Sequence, residues 1–249
     1  MPRPDDLLAA LSPSSPLLVA AWLDSDAGEA LAERARTLMN PDEQARHDRY
    51  RFERNRREFR VTRSLVRLTL GRLLGVDPTS LQFGAGSHGK PELVAPSAGR
   101  LRFNLSNTEG LVALLVALDH DAGVDVEPLD RTVDARGVAH RFFSPTEVAH
   151  LFALPPAQHG DRFLAYWTLK EAYIKACGLG LAIPLDHFSF LLDEPGSSIQ
   201  IEFAPERDDD PRAWQFARPP VGPRHLAAVA LRRPGDDLRV QVVDAAVLT

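Results

Sequence analysis

Trp167-Thr168-Leu169-Lys170-Glu171-Ala172-Tyr173-Ile174-Lys175 is the stretch from which the chain is best read. It continues a helical pattern that begins near Asp161, in which Phe163, Leu164, Trp167, Ala172 and Ile174 make an apolar stripe. Glu171 and Lys175 stand four residues apart, one turn along one face. Alone, that spacing describes an ordinary surface ion pair. Its surroundings change the reading. Upstream, Gly123-Val124-Asp125-Val126-Glu127 alternates apolar and acidic residues. On a strand, Val124 and Val126 would face the core while Asp125 and Glu127 share the other side. Downstream, Gly178-Leu179-Gly180-Leu181 closes the helix. Paired carboxylates repel unless solvent, a proton or a cation relieves them. Asp125, Glu127 and Glu171 would form an oxygen-only set for Mg²⁺, which takes oxygens at roughly 2.0–2.1 Å and keeps positions for water and phosphate. Lys170 and Lys175 stand beside that set for phosphate. The combination suits a magnesium-bound pyrophosphate, although a phosphohydrolase could use the same groups.

The 249 residues, 44% of them hydrophobic, suit one large domain or two small ones with a real core. No apolar run reaches the roughly 18 residues of a membrane-spanning helix. Met1 to Asp6 lack the design of a signal peptide. The single Cys177 excludes an internal disulfide and fits a reducing cytoplasm. At a helix end it reads as a small buried residue rather than a nucleophile. The eight His show no zinc-ligand spacing. Net charge is −5 but uneven: between Arg46 and Arg72, ten Arg face only Asp48, Glu53 and Glu58, a local +7 that leaves −12 elsewhere. Such a segment points to a polyanionic ligand or an acidic partner. A nucleic-acid module would use it too, with steep salt dependence and no need of Mg²⁺. The aromatics such a module would stack on are limited to Tyr50, Phe52 and Phe59, and all three suit a core.

Along the chain, Leu17 to Leu23 predicts a strand and Gly28 to Met39 a helix. Asn40-Pro41-Asp42-Glu43 carries a cap, Pro at the first helical position and Glu at the third, and starts a helix whose pattern runs through the basic segment to Gly75. Leu81 to Phe83, Leu101 to Leu105 and Leu111 to Leu118 predict strands, with a Gly-rich loop from Gly84 to Pro91. Ser144-Pro145-Thr146-Glu147 then repeats the cap, and Glu147 is read as a capping-box residue rather than a catalytic one. A long helix follows, then Phe188-Ser189-Phe190 in the place of Leu81-Gln82-Phe83. Phe188 to Leu192 and Ser198 to Phe203 flank a hairpin turn at Asp193 to Ser197. Trp214 to Ala217, His225 to Arg232 and Leu238 to Val243 are expected to complete a small antiparallel sheet. The repeated plan predicts an α+β fold of two pseudo-symmetric halves, 1–120 and 121–249, each a small sheet packed with a long helix.

Gly89-Lys90-Pro91, Phe103-Asn104-Leu105-Ser106, Gly123-Val124-Asp125-Val126-Glu127, Phe142-Phe143-Ser144 with Glu147, and Trp167 with Lys170-Glu171-Ala172 and Lys175 occur in that order. Each piece is weak alone; the ordered set, from about Asn40 to Phe190, resembles the 4′-phosphopantetheinyl transferases of the longer, surfactin-synthetase-activating type. The resemblance implies a Mg²⁺-dependent transfer of the phosphopantetheine arm of coenzyme A to a serine of an apo acyl or peptidyl carrier protein. Adenosine 3′,5′-bisphosphate would leave, the activity of a holo-[acyl-carrier-protein] synthase. It makes Asp125, Glu127 and Glu171 the metal ligands, Glu171 the general base and Lys175 the stabiliser of the leaving phosphate. Lys170 and Lys175 would lie along the coenzyme A phosphates. In the N-terminal half, Lys90, Ser106, Arg57 and, more loosely, Arg46 would hold the nucleotide. Where the family has a His that meets the 3′-phosphate, this chain has Asn107, which can donate a hydrogen bond but brings no charge. A cytoplasmic monomer is expected, with no nucleic-acid or membrane partner. Leu129 to Phe143, with Arg131, Arg136 and Arg141 among apolar residues, is where the carrier would dock.

Overall fold

The structure, a computed structural model, describes residues 11–86, 89–192 and 199–249. Met1 to Asp6, the turn at Asp193 to Ser197 and the tip of the Gly84–Pro91 loop lie outside the described residues. The fold is α+β, and the chain forms two compact units, 1–119 with 241–249, and 120–240.

Unit 1 runs β1 (Leu17–Trp22), α1 (Asp26–Leu38), α2 (Pro41–Asp48), α3 (Glu53–Leu74), β2 (Gln82–Ala85), β3 (Pro91–Ala95), β4 (Leu101–Thr108) and β5 (Leu111–Leu118). The apolar run of β5 is buried from Leu111 to Ala117, as a strand covered on both faces must be. It pairs antiparallel with β1 on one side and β4 on the other. The helix expected to run through the basic segment is broken at Arg49–Phe52, where Arg56 Nε donates to the Tyr50 carbonyl at 2.8 Å. Gly75 then ends α3 in the left-handed region, at φ 66°.

Unit 2 runs β6 (Ala122–Pro128), α4 (Ala135–Phe142), α5 (Pro145–Ala153), α6 (His159–Cys177), β7 (Phe188–Leu191), β8 (Gln200–Phe203), β9 (Gln215–Ala217) and β10 (His225–Leu231). The order of elements repeats that of unit 1, and so does the pairing: β6, β10 and β9 form one antiparallel sheet, β7 and β8 a separate hairpin. Both expected capping boxes form, Asn40 with Glu43 and Ser144 with Glu147. Two elements, β3 and α4, were not expected from local pattern. Gly137 within α4 disguises it, although Asp134 caps it by accepting from the Gly137 amide at 3.0 Å.

The expected place of the last strand is corrected as well. The last strand, β11 (Gln241–Asp244), does not join the unit 2 sheet; it lies parallel to β1, so 241–249 belong to unit 1. The turn that follows buries Ala245 and Leu248 there, with Val247 and Leu248 carbonyls accepting from Arg72 and Arg34. Register in a four-residue strand comes from its partner, and no local pattern announces it.

What positions unit 2 is the seat of β6 on α6. A Cβ on Gly123 would stand 2.1 Å from the Ala172 carbonyl oxygen and 2.5 Å from the Ala176 nitrogen. Only glycine lets strand and helix meet so closely. Gly123→Ala should therefore push β6 off α6 and cost about 1–3 kcal/mol. Thermal unfolding with an unchanged midpoint would show that the contact is looser than it stands.

Candidate active site

Most of α6 is buried: Phe163 to Tyr166, Thr168 to Lys170, Ala172 to Ile174 and Ala176 all lie inside. The expected stripe is thus nearly a sleeve, which a helix in the middle of a unit requires. Trp167, Glu171 and Lys175, four residues apart in turn, form a partly open column along it. β6 lies against this helix with Val124 and Val126 buried and Asp125 and Glu127 nearly so, at 5% and 9% exposure. The acids therefore do not run out into solvent.

Cations answer them. Lys175 Nζ donates to Asp125 Oδ1 at 2.7 Å. Arg131 pairs with Glu127, and its guanidinium lies 5.8 Å from the Trp167 ring centre. The Trp167 indole also hydrogen-bonds Glu127. Burial, aided by the charge of Asp125, holds the Glu127 carboxyl above the ordinary range, against the pull of Arg131. Glu171 is raised in the same way, by burial first, then by Asp125 and Glu127, with Lys175 and Arg131 opposing. Three carboxylates thus sit close enough to repel one another in a partly desolvated place. Their donor chemistry fits a hard divalent cation. As they stand, no three His, Cys, Asp or Glu side chains among the described residues are gathered as a metal cluster, and Lys175 and Arg131 supply the positive charge.

Lys170 is elsewhere. Its side chain is fully buried, and its ammonium donates to the carbonyls of Leu185 at 2.6 Å and Phe188 at 2.7 Å and to Glu147 Oε2 at 2.8 Å. Three donors meet three acceptors, so the ammonium that was expected along the coenzyme A phosphates is fully engaged inside the unit. Glu147 closes its capping box as read, and also takes this ammonium and the Phe190 amide, at 2.9 Å.

The remaining expected residues lie in unit 1. Arg57 donates to the Leu23 carbonyl at 2.6 Å and pairs with Glu29 at 2.8 Å. Arg46 lies 5.6 Å from the centre of the Phe59 ring. Lys90 is half-buried at the end of the β2–β3 turn, its carbonyl accepting from the Gly86 amide. Ser106 is buried on β4, and the exposed Asn107 donates to Glu58, whose carboxyl burial pushes up and that hydrogen bond pulls down. Sequence reasoning assigned Trp167 to the apolar stripe and Arg131 to the docking segment. The signal available was spacing, four residues before Glu171 and four after Glu127.

Residues 121–230 match the family model of the 4′-phosphopantetheinyl transferase superfamily, and residues 26–118 match that of the 4′-phosphopantetheinyl transferase N-terminal region. The 4′-phosphopantetheinyl transferase HetI of Nostoc sp. is 35% identical over 83% of this chain and 84% of its own length. A 4′-phosphopantetheinyl transferase of Bacillus subtilis is 37% identical over 53% of this chain and 57% of its own. The 4′-phosphopantetheinyl transferase Sfp of Bacillus subtilis is 28% identical over 70% and 76%. With relatives of that identity along most of its length, the chain belongs to the 4′-phosphopantetheinyl transferase family.

Proposed function

We propose that the chain transfers 4′-phosphopantetheine from coenzyme A to a serine of an acyl or peptidyl carrier protein, as a cytoplasmic monomer, with Asp125, Glu127 and Glu171 as ligands of one Mg²⁺. The observation that carries the site is the open column of Trp167, Glu171 and Lys175 beside two nearly buried carboxylates. The serine oxygen bonds to the phosphorus that carries the pantetheine arm, and the bridging P–O bond breaks. Adenosine 3′,5′-bisphosphate leaves with the bridging oxygen. Glu171 takes the serine proton, as a carboxylate in the partly open column can. Lys175 turns its charge from Asp125 to the departing phosphate. Held by Asp125, Glu127 and Glu171, a Mg²⁺ would supply charge neutralisation as the pyrophosphate bond breaks. Lys90, Ser106, Asn107, Arg57 and Arg46 are candidates for the nucleotide end; Arg57 already donates to the Leu23 carbonyl and pairs with Glu29.

For the carrier, α4 and the segment before it offer exposed Leu129 and Phe142 beside exposed Arg136 and Arg141. Exposed apolar residues on a segment that also carries arginines suit an acidic helix. Arg131, engaged with Glu127, is assigned to the active site instead.

Incubation with coenzyme A, Mg²⁺ and apo-carrier, read by intact mass, should show addition of the arm. Asp125→Ala should lower turnover by about 10²–10³-fold with the fold intact. Normal turnover at saturating Mg²⁺ would remove Asp125 from the site. Arg136→Glu should raise KM for the carrier and leave KM for coenzyme A alone; equal effects on both would move docking elsewhere.

The raised carboxyls also make a stability prediction. Glu127 and Glu171 hold protons more tightly folded than unfolded, so their contribution is full below the ordinary value of 4.5 and is lost as pH rises through the raised folded values. Without metal, Glu171→Gln relieves that repulsion and should raise Tm at neutral pH by about 2–4 °C while transfer is lost. Mg²⁺ should raise the Tm of the wild type and have less effect on the variant. A variant that unfolds earlier than wild type at pH 7 and the same at pH 5 would contradict this account.

A further inference from the structure

The buried pair of Glu147 and Lys170 is more than the reaction needs for binding charge, and the other unit shows why it exists. In unit 1 the capping-box residue Glu43 takes the Arg67 guanidinium through Nε at 3.0 Å and Nη2 at 2.9 Å. Arg67 Nη1 donates to the carbonyls of Pro78 and Leu81, both at 2.9 Å. In unit 2 the capping-box residue Glu147 takes Lys170, which donates to the carbonyls of Leu185 and Phe188. In each case a long helix carries the cation, a short capped helix carries the acid, and the two carbonyls stand three residues apart in the turn before a hairpin. Each cation also lies over an aromatic ring of the following strand, Phe83 at 5.2 Å and Phe188 at 4.1 Å. Each long helix ends eight residues later at a left-handed glycine, Gly75 and Gly178.

The repeat matters because the two helices differ in the next residue. After Arg67 comes Leu68; after Lys170 comes Glu171. The pair therefore occurs in a unit whose long helix has no acid there, and its role must be one that both units share. That role is to fix the long helix against the capped helix and the turn. Successive helical side chains are rotated by roughly 100°. With Lys170 anchored inward by three acceptors, Trp167, Glu171 and Lys175 are turned together toward β6. A buried ion pair is a poor source of stability, since apolar replacements often do as well, so what it can add is a single geometry.

We infer that Glu147 and Lys170 are positioning residues for the transfer, a buried clamp that sets the rotation and height of α6 beneath Glu171 and Lys175, and that Lys170 does not touch coenzyme A. This rests on the reading of Glu171 and Lys175 given above, and the test separates the two. The variant is Glu147→Gln with Lys170→Met, which keeps the cap acceptor and the side-chain volumes while removing both charges. Four quantities are measured: kcat, KM for coenzyme A, Tm, and amide hydrogen exchange over residues 185–190. The expected result, read on the folded variant, is exchange faster than wild type over that turn, a lower Tm because the Leu185 and Phe188 carbonyls lose their donor, kcat lower by about 100-fold, and KM for coenzyme A within about twofold. A rise of about tenfold or more in that KM with kcat retained would make Lys170 a substrate contact and overturn the inference. Faster exchange with wild-type kcat would overturn it too, since the turn would be loosened without consequence for the reaction. Should the double variant not fold, Glu147→Gln alone is judged by the same criteria. Glu171→Gln is run in parallel: if it retains transfer, the reading of Glu171 fails, and the exchange data still decide whether the clamp exists.

Discussion

The contact between Gly123 and the backbone of α6 at Ala172 and Ala176 is the constraint on which unit 2 depends. Strand and helix can meet so closely only where no side chain intervenes. Two residues on, Asp125 is carried against the helix at the level of Lys175, and Glu127 follows toward Trp167 and Arg131. The face of β6 that meets α6 carries Gly123, Asp125 and Glu127, so this approach sets three carboxylates against one another, while Val124 and Val126 are buried on the opposite face. The cost is visible in Glu127 and Glu171, both held above the ordinary carboxyl range. Lys175 and Arg131 offset part of that charge, and perturbed carboxyls gathered in this way mark the place as a candidate functional site.

The two units show what was done with one plan. Strand, helix, capped short helix, long helix, turn, hairpin and two closing strands recur in the same order with the same pairing. In unit 1 the first strand is Leu17 to Trp22, wholly apolar, and the positions following Arg67 hold Leu68 and Arg72. Leu68 is buried in the core, and Arg72 donates to the Val247 carbonyl. In unit 2 the first strand carries Asp125 and Glu127, and the corresponding helical positions hold Glu171 and Lys175. One copy uses these positions to hold its own chain end; the other leaves them facing a charged, partly open site. The clamp between capped helix and long helix is common to both because it serves the shared architecture.

Much of this was legible because it is local. Caps at Asn40 and Ser144 are written in four consecutive residues, and the apolar run of β5 announces a buried strand. The alternation at Asp125 and Glu127 gave the strand and its carboxylates, and the spacing of Glu171 and Lys175 gave a shared face. What was not legible depends on distant partners. Lys170 and Lys175 are five apart on one helix, and only the acceptors at Leu185, Phe188 and Glu147 decide that the first turns inward. β11 is four residues long, and its place beside β1 rather than in the unit 2 sheet is a non-local pairing that no periodicity encodes. Arg131 was visible as a charge, but its direction depends on Glu127 and Trp167.

Asn107 joins the two kinds of inference. The resemblance sets a histidine at this place, and a neutral amide there looks like a loss of charge opposite phosphate. The structure gives the amide a definite task, since it donates to Glu58, a half-buried carboxyl that burial raises and this hydrogen bond lowers. A histidine in the same position could serve Glu58 only through a ring N–H, and its charge would follow pH. The amide makes the bond at any pH and keeps a second N–H for another acceptor. A residue that is anomalous by motif is therefore consistent by local electrostatics: asparagine preserves the donor without placing a second titrating group beside Glu58.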